Sequence, residues 1–98
     1  MRIISKATLR TFWERHPRAA GPLQSWYALV AASEWRRPAD VKDLFGTSVD
    51  FVADNRIVFD IGGNKYRLIV RVSYAYGQVL IKFIGTHAEY DRIDAGSV

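Results

Sequence analysis

Apolar positions recur along this chain with two different periods, and the change from one to the other divides it near residue 49. Leu9, Phe12, Trp13 and His16 lie three and four apart, as do Leu23, Trp26, Tyr27 and Val30. Each set makes one apolar stripe on an amphipathic helix. Ser5 is placed to cap the first helix and Pro17 to end it, while Gly21-Pro22 opens the second, where proline suits the first turn. Ahead of them, Arg2 to Ile4 reads as a short strand. Pro38 opens a third, shorter helical piece that turns Val41, Leu44 and Phe45 inward.

After residue 49 the period becomes two. Arg56–Ile61, Lys65–Tyr74 and Gln78–Ile84 are rich in β-branched and aromatic residues and read as strands. Gly62-Gly63 is a two-residue hairpin signal, because both central positions of a type I′ turn need positive φ, and Tyr76-Gly77 is a weaker one. The expected fold is therefore α+β, in one domain spanning residues 1–98. Two N-terminal helices and a short third pack on a three- to four-stranded antiparallel sheet, followed by a short C-terminal helical turn.

Loop length sets register, and register sets which side chains share a face. Two-residue loops place Asp60 opposite Lys65, Val58 opposite Arg67, Arg71 opposite Lys82 and Arg67 opposite Thr86. One face then carries Ile57, Phe59, Ile61, Tyr66, Leu68, Val70, Val72, Tyr74, Val79, Ile81 and Phe83, and receives the helices. The other carries Arg56, Asp60, Lys65, Arg67, Arg71 and Lys82.

Composition matters once these faces are drawn. The formal charge is +4, and residues 56–87 hold five basic side chains against one acidic, while the remaining residues hold nine of each sign. The excess therefore coincides with one face of the sheet. A solvated outer face protected by lysine and arginine is one account of it. A phosphate-rich ligand is the other, favoured because Arg71 opposite Lys82 would repel without an anion between them. The absence of cysteine excludes a disulfide scaffold, a thiol nucleophile and a thiolate zinc site. The longest apolar run, Trp26 to Ala32, is too short for a bilayer span and no secretory pattern opens the chain, so a cytoplasmic, membrane-free protein is expected.

Thr86-His87-Ala88-Glu89 has the form of a capping box, threonine followed three residues later by glutamate. A helical turn there puts His87, Tyr90 and Asp91 on one side, with Asp91 able to orient the imidazole and His87 able to carry a proton. Arginines, a lysine, a histidine and a tyrosine suit metal-free RNA cleavage, in which the 2′-hydroxyl attacks the adjacent phosphate. Such a site must move two protons and stabilise a phosphorane. On residues alone, this stands beside several nucleic-acid-binding readings, and a surface histidine on a turn that merely ends the sheet remains open.

Phe83-Ile84-Gly85-Thr86-His87-Ala88-Glu89-Tyr90-Asp91 resembles the ending of HigB-family toxins, within the RelE-like superfamily. The likeness extends to Gly63-Asn64-Lys65-Tyr66-Arg67-Leu68, to Ile3-Ile4-Ser5 with the helix after it, and to the Trp35–Lys42 stretch. The resemblance implies a ribosome-dependent mRNA endoribonuclease that acts in the A site without metal or other cofactor. It also implies neutralisation by a helix-turn-helix antitoxin of the HigA type. The positions matching the family pattern are Asn64, Arg67, Lys82, His87, Tyr90 and Asp91. On this basis Arg67 and Lys82 are expected to stabilise the phosphorane, His87 to move a proton, Tyr90 to position base or phosphate, and Asp91 to orient His87. Arg56, Asn64, Lys65 and Arg71 are expected to bind RNA. The competing readings are a toxin of the same fold that inhibits DNA gyrase, and a non-catalytic RNA- or ribosome-binding module.

Overall fold

The computed structural model describes all residues from 1 to 98. β1 (Arg2–Ile4) leads into α1 (Lys6–Arg15), a 3-10 turn at Pro17–Ala19, α2 (Ala20–Ala31) and α3 (Pro38–Phe45). Then follow β2 (Val49–Val52), β3 (Arg56–Ile61), β4 (Tyr66–Ser73), β5 (Gln78–Thr86) and the single turn α4 (His87–Tyr90). The five strands form one sheet in the order β1-β5-β4-β3-β2.

The α+β architecture is as expected, but the sheet is mixed and has five strands rather than three or four. β1 pairs with β5 in parallel, and the additional strand, β2, pairs with β3. The loop between β2 and β3 places Asp54 and Asn55 at φ +62° and +59°, and the Arg56 amide donates to the Ala53 carbonyl at 3.4 Å. Asp and Asn tolerate that left-handed region better than other side chains.

Helices and sheet share one core. Leu9 and Phe12 of α1, Leu23, Trp26 and Val30 of α2, and Val41 of α3 are buried against Ile57, Phe59, Leu68, Val70 and Val79. Phe59 is its aromatic centre, with Trp26 edge-on at 5.4 Å and Phe45 edge-on at 4.8 Å. Ser5 does precede α1, but at φ +74° its hydroxyl makes no cap; its carbonyl accepts from the Thr8 amide instead. The tight turn out of β1 takes priority over side-chain capping there.

The registers depart from the expected ones in an ordered way. Ile61 pairs with Tyr66 and Ser73 with Gln78, so both loops hold four residues, not two. Gly62, Gly63 and Asn64 all take positive φ in the first loop. A shift of two preserves the sorting of faces but changes every partner. Arg67 now opposes Asp60, not Val58, and Arg71 opposes Arg56 on one side and Leu80 on the other, not Lys82.

A bulge then interrupts β5. Val70 pairs with Ile81 and Ile69 with Phe83, leaving Lys82 as the extra residue. Beyond a bulge the faces exchange. Phe83, expected in the core, is paired with Ile69 on the outer face, while Ile84 packs against the core.

Candidate nucleic-acid site

β4, the loop before it and α4 converge at one end of the sheet's outer face. Arg67 is the centre of this end. Its Nε pairs with Asp60 Oδ1 at 3.2 Å, its Nη1 donates to the Asn64 carbonyl at 3.2 Å, and the side chain is only 12% exposed. The Tyr90 ring lies 5.7 Å from the guanidinium carbon, inside cation–π range. A guanidinium held by a carboxylate, a carbonyl and an aromatic face has little freedom left. It is a fixed cation rather than a searching one.

The capping box forms as the sequence predicts. The Glu89 amide donates to Thr86 Oγ1 at 3.2 Å, and the Thr86 amide donates to Glu89 Oε1 at 2.8 Å. That amide holds the Glu89 carboxyl below its ordinary pKa against the opposing effect of burial, with the Thr86 side chain and, more weakly, Arg15 acting in the same direction. A second anchor is the His87 amide, which donates to the Lys65 carbonyl at 3.2 Å and ties α4 to the loop before β4. The His87 ring stands 50% exposed with Nδ1 3.1 Å from Asp91 Oδ2. An ionised carboxylate only accepts, so in the neutral form of the ring this contact favours the tautomer with the proton on Nδ1 and the lone pair on Nε2.

Arg67, His87, Tyr90 and Asp91 are thus brought together, with Asn64 and Lys65 supplying backbone carbonyls that hold the first two. Lys82 stands on the same strand pair, at the bulge. It lies three residues from Gly85, the partner of Arg67, or about 10 Å along the strand. No carboxylate approaches it within 4 Å, and the bulge turns both Lys82 and Phe83 to the outer face. The exposed Lys65 is likewise free of ion pairs.

Arg56 and Arg71 lie elsewhere. They oppose each other at the far end of β3 and β4, and the anion between them belongs to the protein: Asp54 is 2.9 Å from Arg56 Nη1 and 3.1 Å from Arg71 Nη2. The two guanidinium groups, Arg56 first, hold the Asp54 carboxyl below its ordinary pKa. Arg56 is 8% exposed and also donates from Nε to the Val98 carbonyl, so it fastens the C-terminal segment to the sheet. The expected contact of Arg71 with Lys82 does not form, and the like-charge contact that does, Arg56 with Arg71, is answered within the fold by Asp54.

Three residues of this end escaped the sequence reading as site members. Asp60 was seen as an outer-face acid but not as the partner of Arg67, because that depends on a four-residue loop. Phe83 needed the bulge. Gly85 is required because a side chain there would meet the Phe83 ring at 2.5 Å and Glu89 Cβ at 3.2 Å, so it lets α4 fold back onto the strand.

Comparison with known proteins agrees with this geometry. Residues 19–93 match the HigB toxin family, described as the RelE-like toxic component of a toxin–antitoxin system. The chain is 31% identical over 94 residues to the mRNA interferase HigB of Escherichia coli O6:H1, covering 95% of this chain and 91% of that one. It is 27% identical over 96 residues to the mRNA interferase toxin HigB of Escherichia coli K12, covering 97% and 92%, and to the same degree to the mRNA interferase HigB of Shigella flexneri. With a mixed sheet under two helices, a capped turn after the last strand and a fixed arginine beside it, the chain belongs to the HigB toxin family of RelE-like toxins.

Proposed function

We propose that this protein is an mRNA endoribonuclease that acts on translated message in the ribosomal A site and is neutralised in the cytoplasm by a HigA-type helix-turn-helix antitoxin. The observation that carries the reading is the pairing of a fixed cation with a free imidazole nitrogen at one end of the sheet. Arg67 is locked by Asp60, Asn64 and Tyr90, and His87, one turn from Tyr90, offers Nε2 to solvent. Relatives over nearly the whole length carry the name mRNA interferase.

In this reading the RNA supplies its own nucleophile. The 2′-oxygen loses its proton, bonds to phosphorus and expels the 5′-oxygen, which takes up a proton; the products are a 2′,3′-cyclic phosphate and a 5′-hydroxyl. His87 Nε2 moves one of these protons, and Asp91 on Nδ1 fixes the tautomer. Arg67 and Lys82 neutralise the phosphorane as charge gathers on its oxygens. Tyr90 positions the nucleotide beside the guanidinium. Asn64, Lys65 and Arg71 contribute RNA contacts around this centre, and Arg56 acts by keeping the sheet closed. No step calls on a metal, so cleavage should persist in chelator.

The test is cleavage of a translated message with and without ribosomes. Wild type should cut only on ribosomes, and Arg67→Ala and His87→Ala should each lose at least about tenfold in rate while remaining folded. Intact message on translating ribosomes sinks the proposal, and loss of gyrase supercoiling in a parallel assay would put the gyrase reading in its place.

A further inference from the structure

The outer face carries a concave feature about four residues along β4 from Arg67. It is a hollow of about 280 Å³ where β1, β5 and β4 meet the loop before β3. Ile4 and Leu80, paired across β1 and β5, form its apolar floor. Asn55, Arg71, Ser73 and Gln78 form its rim. The Asn55 carbonyl accepts from the Val72 amide at 2.9 Å, which pins that loop beside β4 at the hollow's edge. Asp54 fixes one edge of the Arg71 guanidinium at 3.1 Å, and the side chain stays 49% exposed.

We propose that this hollow binds an unpaired RNA base and reads it. An apolar floor suits the face of a base, and a tethered guanidinium suits stacking against one. Two carboxamides and a hydroxyl among the lining residues supply both donors and acceptors, the equipment with which proteins discriminate base edges. Its position fits one strand of RNA. Arg67 and Arg71 are four residues apart on β4, roughly 13 Å, which an extended chain crosses in about two nucleotides. Between them the bulge sets Lys82 on the same face, within reach of the phosphates of such a strand. A peptide partner would find no large apolar anchor here, since the exposed large apolar side chains, Leu29, Leu44, Phe51 and Tyr76, all lie outside the hollow. The assignment rests on the endoribonuclease reading and adds to it a source of sequence preference away from the scissile phosphate.

Pentanucleotides methylated at every 2′-oxygen cannot be cut and make a direct probe. Titrated into isotopically labelled protein, they should shift the amides of Asn55, Ser73, Gln78 and Leu80 together with those near Arg67 and His87. Oligonucleotides that differ at a single base should differ in affinity by at least about fivefold. Gln78→Ala, and separately Asn55→Gly, which keeps the left-handed φ open, should bring that difference below about twofold without moving the His87 shifts. Shifts confined to the Arg67–His87 end, affinities equal for all four bases, or no binding by any oligonucleotide would each overturn the proposal. Cleavage on ribosomes separates the two readings. Base-dependent shifts in the hollow without cleavage would remove the nuclease and keep the subsite, and cleavage with a silent hollow would do the reverse.

Discussion

Asp60 is an unusual neighbour for Arg67, an arginine proposed to meet phosphate, because it offsets part of that cation's charge before any ligand arrives. What it gives in return is direction. The Asp60–Arg67 contact is 3.2 Å long with the arginine side chain 12% exposed, so it exceeds an ordinary surface pair, which contributes about 0–1 kcal/mol. Asp60→Asn keeps the shape and removes the charge. The expected result is a severalfold fall in cleavage rate with the melting temperature lowered by only a few degrees. A large loss of stability with an unchanged rate per folded molecule would make the pair purely structural.

Glu89 gives the residue scale its pH dependence. Its folded pKa lies below the ordinary value near 4.5. The bond to the Thr86 amide therefore contributes stability that is present above that value and lost as pH falls through the lower, folded one. Acidification should release α4 before the sheet, seen as early exchange of the Thr86 amide. Glu89→Gln, which retains an acceptor without a titration, should flatten that dependence.

Among the elements, the helices were the most legible, since two stripes with unbroken three-and-four spacing leave little choice. The third strand pair was legible too, and was missed. Val49-Asp50-Phe51-Val52 alternates, and Asp54-Asn55 is a pair suited to positive φ, yet the short run invites no confidence without its partner β3. The same Asp54 closes the gap between Arg56 and Arg71. Asp54→Asn should lower the melting temperature more at low salt than at high, because the repulsion it exposes is screened. An equal loss at both would show that the loop backbone, not the charge, was at stake.

The bulge could not be read from the chain. Gln78 to Thr86 alternates acceptably in either phase, and only the pairing of Ile69 with Phe83 reveals the extra residue. Its effect on the site is large, since it turns Phe83 over Gly85 and so under α4. Gly85→Ala should cost about 1–3 kcal/mol and disturb α4, and Phe83→Ala in the same chain should recover most of it. Absence of that recovery would point to Glu89 as the obstructing group.

At the scale of the whole molecule, the charge reads differently from the way the sequence suggested. All three arginines of β3 and β4 have carboxylate partners. The first 18 residues also hold five basic side chains, Arg2, Lys6, Arg10, Arg15 and Arg18, against Glu14 alone, and none of them forms an ion pair. Lys6 rests over the Tyr27 ring at 4.4 Å. Counting along the chain located one cluster correctly and hid the other, because acids at residues 34–54 and 89–94 cancel it on paper without forming an ion pair with it. Arg10→Gln and Arg15→Gln together should leave the melting temperature nearly unchanged, whereas Arg56→Gln should lower it by several degrees.

β1 lies ahead of every other element, yet its partner is β5, with Arg2 beside Gln78 and Ile4 beside Leu80. Parallel pairing over such a separation must wait for almost all of the chain between, and the entropy of closing that loop is met late in folding. β5 is also the strand that bears Lys82 and runs directly into His87. A growing chain therefore holds its helices before β5 and α4 arrive with Lys82, His87 and Tyr90, so the residues proposed for the chemistry are among the last to be placed.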